Sequence, residues 1–242
     1  MTPPPITRRS FLLAGLGWFP LFRKKEFACA GIRFRIERKG RSKRRYLLLH
    51  GDEETARGVL TAHLKKHSGV AHLAAGNTRT VYYNGVRFDP NRIWSAEGAA
   101  RNLKLLNPYA PERDLANARW MLNRERGRLI EKLMPPRGGL LIALHNNSRG
   151  YSVETEIPIS DRAALADKEN PHEFFLCTDP ADFVRLARSP YNVVLQDKAP
   201  QTDDGSLSRL AARLGVRYVN LEAGLGKADR QREMLEWLEK NL

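Results

Sequence analysis

Arg45-Tyr46-Leu47-Leu48-Leu49-His50-Gly51-Asp52-Glu53 is the stretch whose reading decides the fold. A continuous apolar run from Tyr46 to Leu49 has the pattern of a strand buried on both faces, as parallel sheets require. His50 stands at the carboxyl end of that strand. From Glu53 onward, Ala56, Val59, Leu60 and Leu64 recur at helical spacing, which predicts a helix over residues 53–66. The stretch reads as strand, sharp turn, helix. Gly51, without a Cβ, is expected to free the backbone for the bend.

The same device recurs downstream, where Gly138-Gly139 precedes Leu140-Leu141-Ile142-Ala143-Leu144-His145. Ile32, Phe34 and Ile36 alternate as a strand over 31–37, and further strands are predicted near 70–74, 78–83 and 86–88. Asn84-Gly85 is a hairpin turn signal between the last two. Pro111 opens and Pro135-Pro136 closes a helix over 111–134. Strands at 173–177, 192–196 and 216–221 then alternate with helices at 180–187, 206–214 and 229–240. Alternation of this kind predicts one three-layer α/β/α domain over 31–242, with a mixed, largely parallel sheet.

A chain of 242 residues with 42% hydrophobic content can bury one sizeable core. Net charge is +14, dense between Arg33 and Arg45. Such an excess suits either a solvated surface or an anionic polymer partner, including one of the cell wall. No recognition-helix or aromatic-interleaved pattern accompanies it, so no specific nucleic-acid partner is expected.

Residues 1–30 read as a targeting segment. Thr7-Arg8-Arg9-Ser10-Phe11-Leu12-Leu13 resembles a twin-arginine signal, and Ala28-Cys29-Ala30 offers a small-x-small cleavage site. The apolar run at 11–22 is 12 residues, short of a membrane span, and no stretch of 18 follows it. Export to the periplasm or the exterior is the expectation. Cleavage after Ala30 would leave Cys177 as the lone cysteine, a residue type most often buried in a core.

Open α/β sheets bind ligands at the carboxyl ends of their strands, and three apolar strands here end in His50, His145 and Glu222. Glu53 adds a carboxylate three residues after His50, at the first turn of the next helix. Two neutral imidazoles and one carboxylate suit one Zn²⁺ ion and leave a fourth position for water. Glu222 is the candidate base that would move the proton.

The ordered set His50-x-x-Glu53, Asp89-Pro90-Asn91-Arg92, Leu144-His145-Asn146 and Leu221-Glu222 resembles the zinc carboxypeptidase family across residues 45–225. The resemblance implies zinc held by His50, Glu53 and His145, with Glu222 as base. It implies that Asn91 and Arg92 clamp a substrate carboxylate, through the guanidinium fork, and that Arg79 stabilises the oxyanion. The family's mobile tyrosine has no counterpart before Asp203-Asp204, Tyr191 being the nearest upstream. The function implied is hydrolysis of a peptide or amide bond in a substrate bearing a carboxylate. Two alternatives stay open: an amidase or deacylase acting on a non-peptide or wall-derived amide, and a non-catalytic exported binder of anionic polymers.

Other polar residues have plainer readings. His63 and His67, four apart, are expected on the surface of an amphipathic helix, because the zincin glutamate is replaced by Leu64. Asn146-Asn147 read as turn residues or substrate contacts, and Asp203-Asp204-Gly205-Ser206 as a turn and helix cap with an option to orient a ligand histidine. Arg101-Asn102 are expected on a helix surface, with lining of the cleft as the alternative, and His72 and His172 receive no role.

Overall fold

The computed structural model describes residues 25–147, 150–200 and 202–242. The twin-arginine stretch lies outside the described residues. In chain order the first half comprises strands β1 (Lys25–Cys29), β2 (Ile32–Lys39) and β3 (Arg45–Leu48), helix α1 (Glu54–Leu64), strands β4 (Gly69–Ala74), β5 (Val81–Tyr83) and β6 (Val86–Phe88), and helices α2 (Ala96–Leu106) and α3 (Glu112–Leu133). The second half comprises β7 (Leu140–Asn147), α4 (Val153–Glu156), β8 (Arg162–Ala164), β9 (Phe174–Cys177), α5 (Pro180–Leu186), β10 (Asn192–Leu195), α6 (Leu207–Leu214), β11 (Arg217–Gly224) and α7 (Ala228–Asn241).

Nine strands form one mixed sheet in the order β1-β2-β4-β3-β7-β11-β9-β10-β8. Its middle, β4-β3-β7-β11, is parallel, as is β9-β10 further out, while the flanking pairs are antiparallel. Alternate side chains of the central strands feed two cores. Leu47, Leu141, Ala143, Leu176 and Tyr218 pack on one face with Leu103, Leu115, Leu129 and Leu210 from α2, α3 and α6. Tyr46, Leu48, Leu140, Ile142 and Val219 pack on the other with Ala56, Leu60, Leu186 and Leu235 from α1, α5 and α7. The result is the expected α/β/α layering, with helices covering both faces of the hydrophobic central strands.

Two details at the ends of elements go beyond the expectation. Strand β1, which precedes residue 31, pairs with β2 along its whole length, and Cys29 and Ala30 are buried. A break after Ala30 would strip this edge strand from the sheet. Gly51 has no left-handed backbone that only glycine adopts. What excludes a side chain there is crowding, since a Cβ would lie 2.7 Å from the Gly76 carbonyl carbon and 2.9 Å from the Asn77 nitrogen. Asn84-Gly85 does form the hairpin turn between β5 and β6, with φ of 43° and 88°.

Among the described residues no helix is long and apolar enough to cross a membrane. The cost of crowding at Gly51 is measurable. Gly51→Ala is expected to lower stability by ~1–3 kcal/mol through overpacking against backbone. Gly127→Ala, on the exposed face of α3 with open space around it, is expected to raise stability by ~0.5–1 kcal/mol. Urea unfolding of both variants checks the opposite signs.

Candidate metal centre

The register of two central strands builds the site. β7 and β11 run parallel with His145 directly opposite Glu222. Directly paired residues share a face, so both side chains stand side by side on the face lined by Leu141, Ala143 and Tyr218. His50 arrives from the end of β3, next to β7. The turn at Gly51 then brings in Glu53, the residue that immediately precedes α1. The Glu53 side chain makes no cap bond to its own helix. It turns to the imidazoles instead.

Glu53 Oε1 lies 2.8 Å from His50 Nδ1 and 3.1 Å from His145 Nδ1. All three side chains are buried, and their ligand atoms lie within 4.8 Å of one another. His50 Nε2 is engaged at 2.9 Å by Asp89 Oδ1, an oxygen that also accepts the Asn91 backbone N–H. Asn102, buried on α2, accepts the Asp89 N–H and fixes that carboxylate's loop. Sequence reasoning gave Asp89 no part in this arrangement, although it opens the quoted Asp-Pro-Asn-Arg segment.

This set fits a divalent cation. A neutral imidazole has one proton to give, and Asp89 claims it at Nε2. The Nδ1 of His50 therefore meets the Glu53 oxygen only when a positive charge, a second proton or a metal ion, lies between them. Glu53 Oε2 and His145 Nε2 are also buried with no hydrogen-bond partner. Burial opposes charge on His50, but Asp89 and Glu53 outweigh it and lift the imidazole to about 9. Burial likewise favours a neutral Glu53, yet His145 and His50 pull its carboxyl down to about 2. The three residues thus draw positive charge into the space between them, and two nitrogens with one carboxylate oxygen are the donor set that zinc takes.

A cavity of 510 Å³ opens beside the set, lined by Arg79, Arg92, Tyr151, Tyr218 and Glu222, with Glu156, Gln196, Ser206 and Ser208 along its polar wall. Asn220 and Asn147 amides donate to the two oxygens of Glu222 at 3.0 and 3.3 Å. Burial pushes the Glu222 carboxyl up, against the pull of His145 and Asn220. The carboxylate's affinity for a proton is raised accordingly. Arg79 is half exposed and reaches toward Glu53 and Asp89 at 3.5 and 3.7 Å. Arg92 lies 3.5 Å from Asp204. The side-chain oxygen Oδ1 of Asn91 accepts the Leu207 N–H, so Nδ2 is the donor end of that side chain.

Several plain readings change. Asn146 and Asn147 belong to β7 rather than a turn. Asn146 accepts the Ala56 N–H in the first turn of α1, and its amide lies 3.3 Å from Gln231 of α7. Asp203 and Asp204 make the turn expected of them by accepting the Gly205 and Ser206 N–H groups, and neither touches a ligand histidine. Tyr191 lies on the far face, packed on Phe175 under Arg230. Asn220 was legible, two residues before Glu222 on the same strand face. Tyr151 and Glu156 were not, because their partnership arises from loop packing.

No family model and no curated protein matches the chain. Among solved structures it is similar to a succinylglutamate desuccinylase/aspartoacylase from Rhodobacter sphaeroides, at 14% identity and TM-score 0.48 over 87% of this chain. It is also similar to the ectoine utilization protein EutE (DoeB) from Ruegeria pomeroyi, at 13% identity and TM-score 0.43 over 86% of this chain. The chain spans 59% of the length of each. Likeness of this degree carries no residue roles, which rest on the geometry above.

Carboxylates that hold a ligand histidine typically contribute ~10–100-fold to metal affinity. Asp89→Asn is therefore expected to weaken zinc binding by that factor, read by competition with a chromophoric chelator. Unchanged affinity would remove Asp89 from the site.

Proposed function

We propose that the chain is a zinc-dependent hydrolase of amide bonds in substrates that carry a free carboxylate. The observation that supports this reading best is the meeting of His50, Glu53 and His145 beside a buried Glu222, at one wall of a cavity that also presents Arg79 and Arg92. Zinc, when bound, lowers the pKa of a water and polarises a carbonyl. The residues supply the rest. Glu222 accepts the proton of the attacking water as its oxygen bonds to the carbonyl carbon, and returns that proton to the leaving nitrogen as the C–N bond breaks. Asn147 and Asn220 hold its carboxylate in place. Arg92, with the free amide of Asn91, would receive the substrate carboxylate, and Arg79 would face the oxyanion.

The cavity also favours a second version of the same chemistry. At 510 Å³ it is sized for one small ligand rather than an extended chain. Deacylation of an N-acylated amino acid therefore stands beside carboxypeptidase action, and a polar group suits the wall of Glu156, Gln196 and Ser208. Export, suggested by Arg8-Arg9, would bring peptides or wall fragments to this site, and the basic surface could hold an anionic wall polymer.

Glu222→Gln is expected to keep zinc yet lose turnover by ~10²–10⁴-fold. Retained turnover would exclude Glu222 as base. Chelation of the wild-type protein should abolish hydrolysis, and added zinc should restore it. A chain that binds anionic polymer in a salt-sensitive way and turns over no amide with zinc would be a binder instead. Arg92→Ala should raise KM for substrates with a free carboxylate and spare amidated ones. Equal losses on both would argue against the clamp.

A further inference from the structure

The far end of α1 carries a second cluster of metal-competent side chains, on the opposite face of the sheet from the cavity. His63 lies in the last turn of α1, and the His67 N–H bonds back to the His63 carbonyl, so the two rings share one helical face. Across from them, α7 presents Glu236 and Glu239, three residues apart on its own face. The expectation of two surface histidines is corrected here. His63 is buried, because α7 docks on this part of α1.

The contacts divide into an orienting half and an open half. Glu239 is committed: it accepts the Tyr46 hydroxyl, pairs with Arg44 at 3.3 Å, and holds His63 Nε2 at 3.1 Å. That leaves His63 Nδ1 directed at the cluster, buried and with no hydrogen-bond partner. Its nearest carboxylate oxygen, Glu236 Oε1, is 3.8 Å away. The same oxygen sits 3.2 Å from His67 Nε2. The two rings lie parallel, 11° apart with centroids at 4.1 Å, so both imidazole edges meet one carboxylate. A simple helix–helix hydrogen-bond network would not leave a buried ring nitrogen unpaired beside an acceptor.

We propose that His63 Nδ1, His67 and Glu236 form a second binding site for a divalent transition metal, with Zn²⁺ the matching ion. The three ligand atoms lie within 4.8 Å of one another. Ligand atoms ~3.3–3.5 Å apart surround a tetrahedral zinc at its usual ~2.0–2.1 Å bond lengths, so a small inward shift completes the set. Glu239 on His63 Nε2 supplies the outer carboxylate that ligand histidines characteristically have. His67 and Glu236 are partly exposed, which gives an ion its entry path and a position for water. The site is structural in character. It clamps the end of α1 to α7, while the other end of α1 adjoins Glu53, and Gln231 of α7 donates to the His145 carbonyl.

The test is a zinc titration of the purified chain, competed against a chromophoric chelator, for the wild type, His67→Ala and Glu236→Gln. Both substitutions are at partly exposed positions, and circular dichroism checks that the fold is kept. The wild type should take up two equivalents, and each variant should lose one, or bind it at least ~10-fold more weakly. Each variant should also lose part of the rise in Tm that zinc gives the wild type. Unaltered stoichiometry and affinity in both variants would overturn the proposal. His145→Ala separates the two sites: it should retain one equivalent that disappears when His67→Ala is added. A wild type that binds one equivalent, lost with His67→Ala, would support this site and contradict the catalytic one.

Discussion

A buried carboxylate facing two buried imidazoles is the constraint on which the structure turns. Taking Glu53 out of water is costly unless its charge is answered, and the residues around it supply that answer. The amino terminus of α1 contributes a favourable dipole for the carboxylate that precedes it. The helix cannot drift, because Asn146 holds its first turn and Arg57 reaches from it to the Gly51 and Ala74 carbonyls. Gln231 closes the arrangement from α7 by donating to the His145 carbonyl. Most of the polar groups around Glu53 are thereby joined in one connected network, while Glu53 Oε2 and His145 Nε2 are buried without a partner.

The sheet's register does for Glu222 what the helix does for Glu53. Strand β11 sits between β7 and β9, so Glu222 is fixed on both sides by main-chain ladders before any side-chain contact is counted. Its carboxylate then needs only two amides, from Asn220 on its own strand and Asn147 on the next. A carboxylate carried by a central strand is held more tightly than one carried by a loop, as the proposed proton transfer requires. Arg79 and Arg92, by contrast, lie on connecting segments and keep partial exposure.

Much of this was readable from residue order. Continuous apolar runs ending in His50 and His145 identified central strands, and Asn84-Gly85 identified its hairpin, because local patterning and local structure coincide there. Edge strands β1 and β8 escaped: short and partly exposed, they owe their form to a neighbour's free edge. Asp89 gave no sign of its task, since only the folded loop carries it to His50, 39 residues earlier in sequence. His63 was misread for the same reason. Its burial depends on α7, whose Glu239 lies 176 residues away.

The account depends most on where an ion binds. A crystal structure of the chain grown with zinc, with anomalous differences collected at the zinc edge, answers this directly. The account predicts a peak bounded by the Nδ1 atoms of His50 and His145 and the carboxylate of Glu53, with Glu222 facing it across the cavity. No density there, with Glu53 still hydrogen-bonded to both rings, would contradict it.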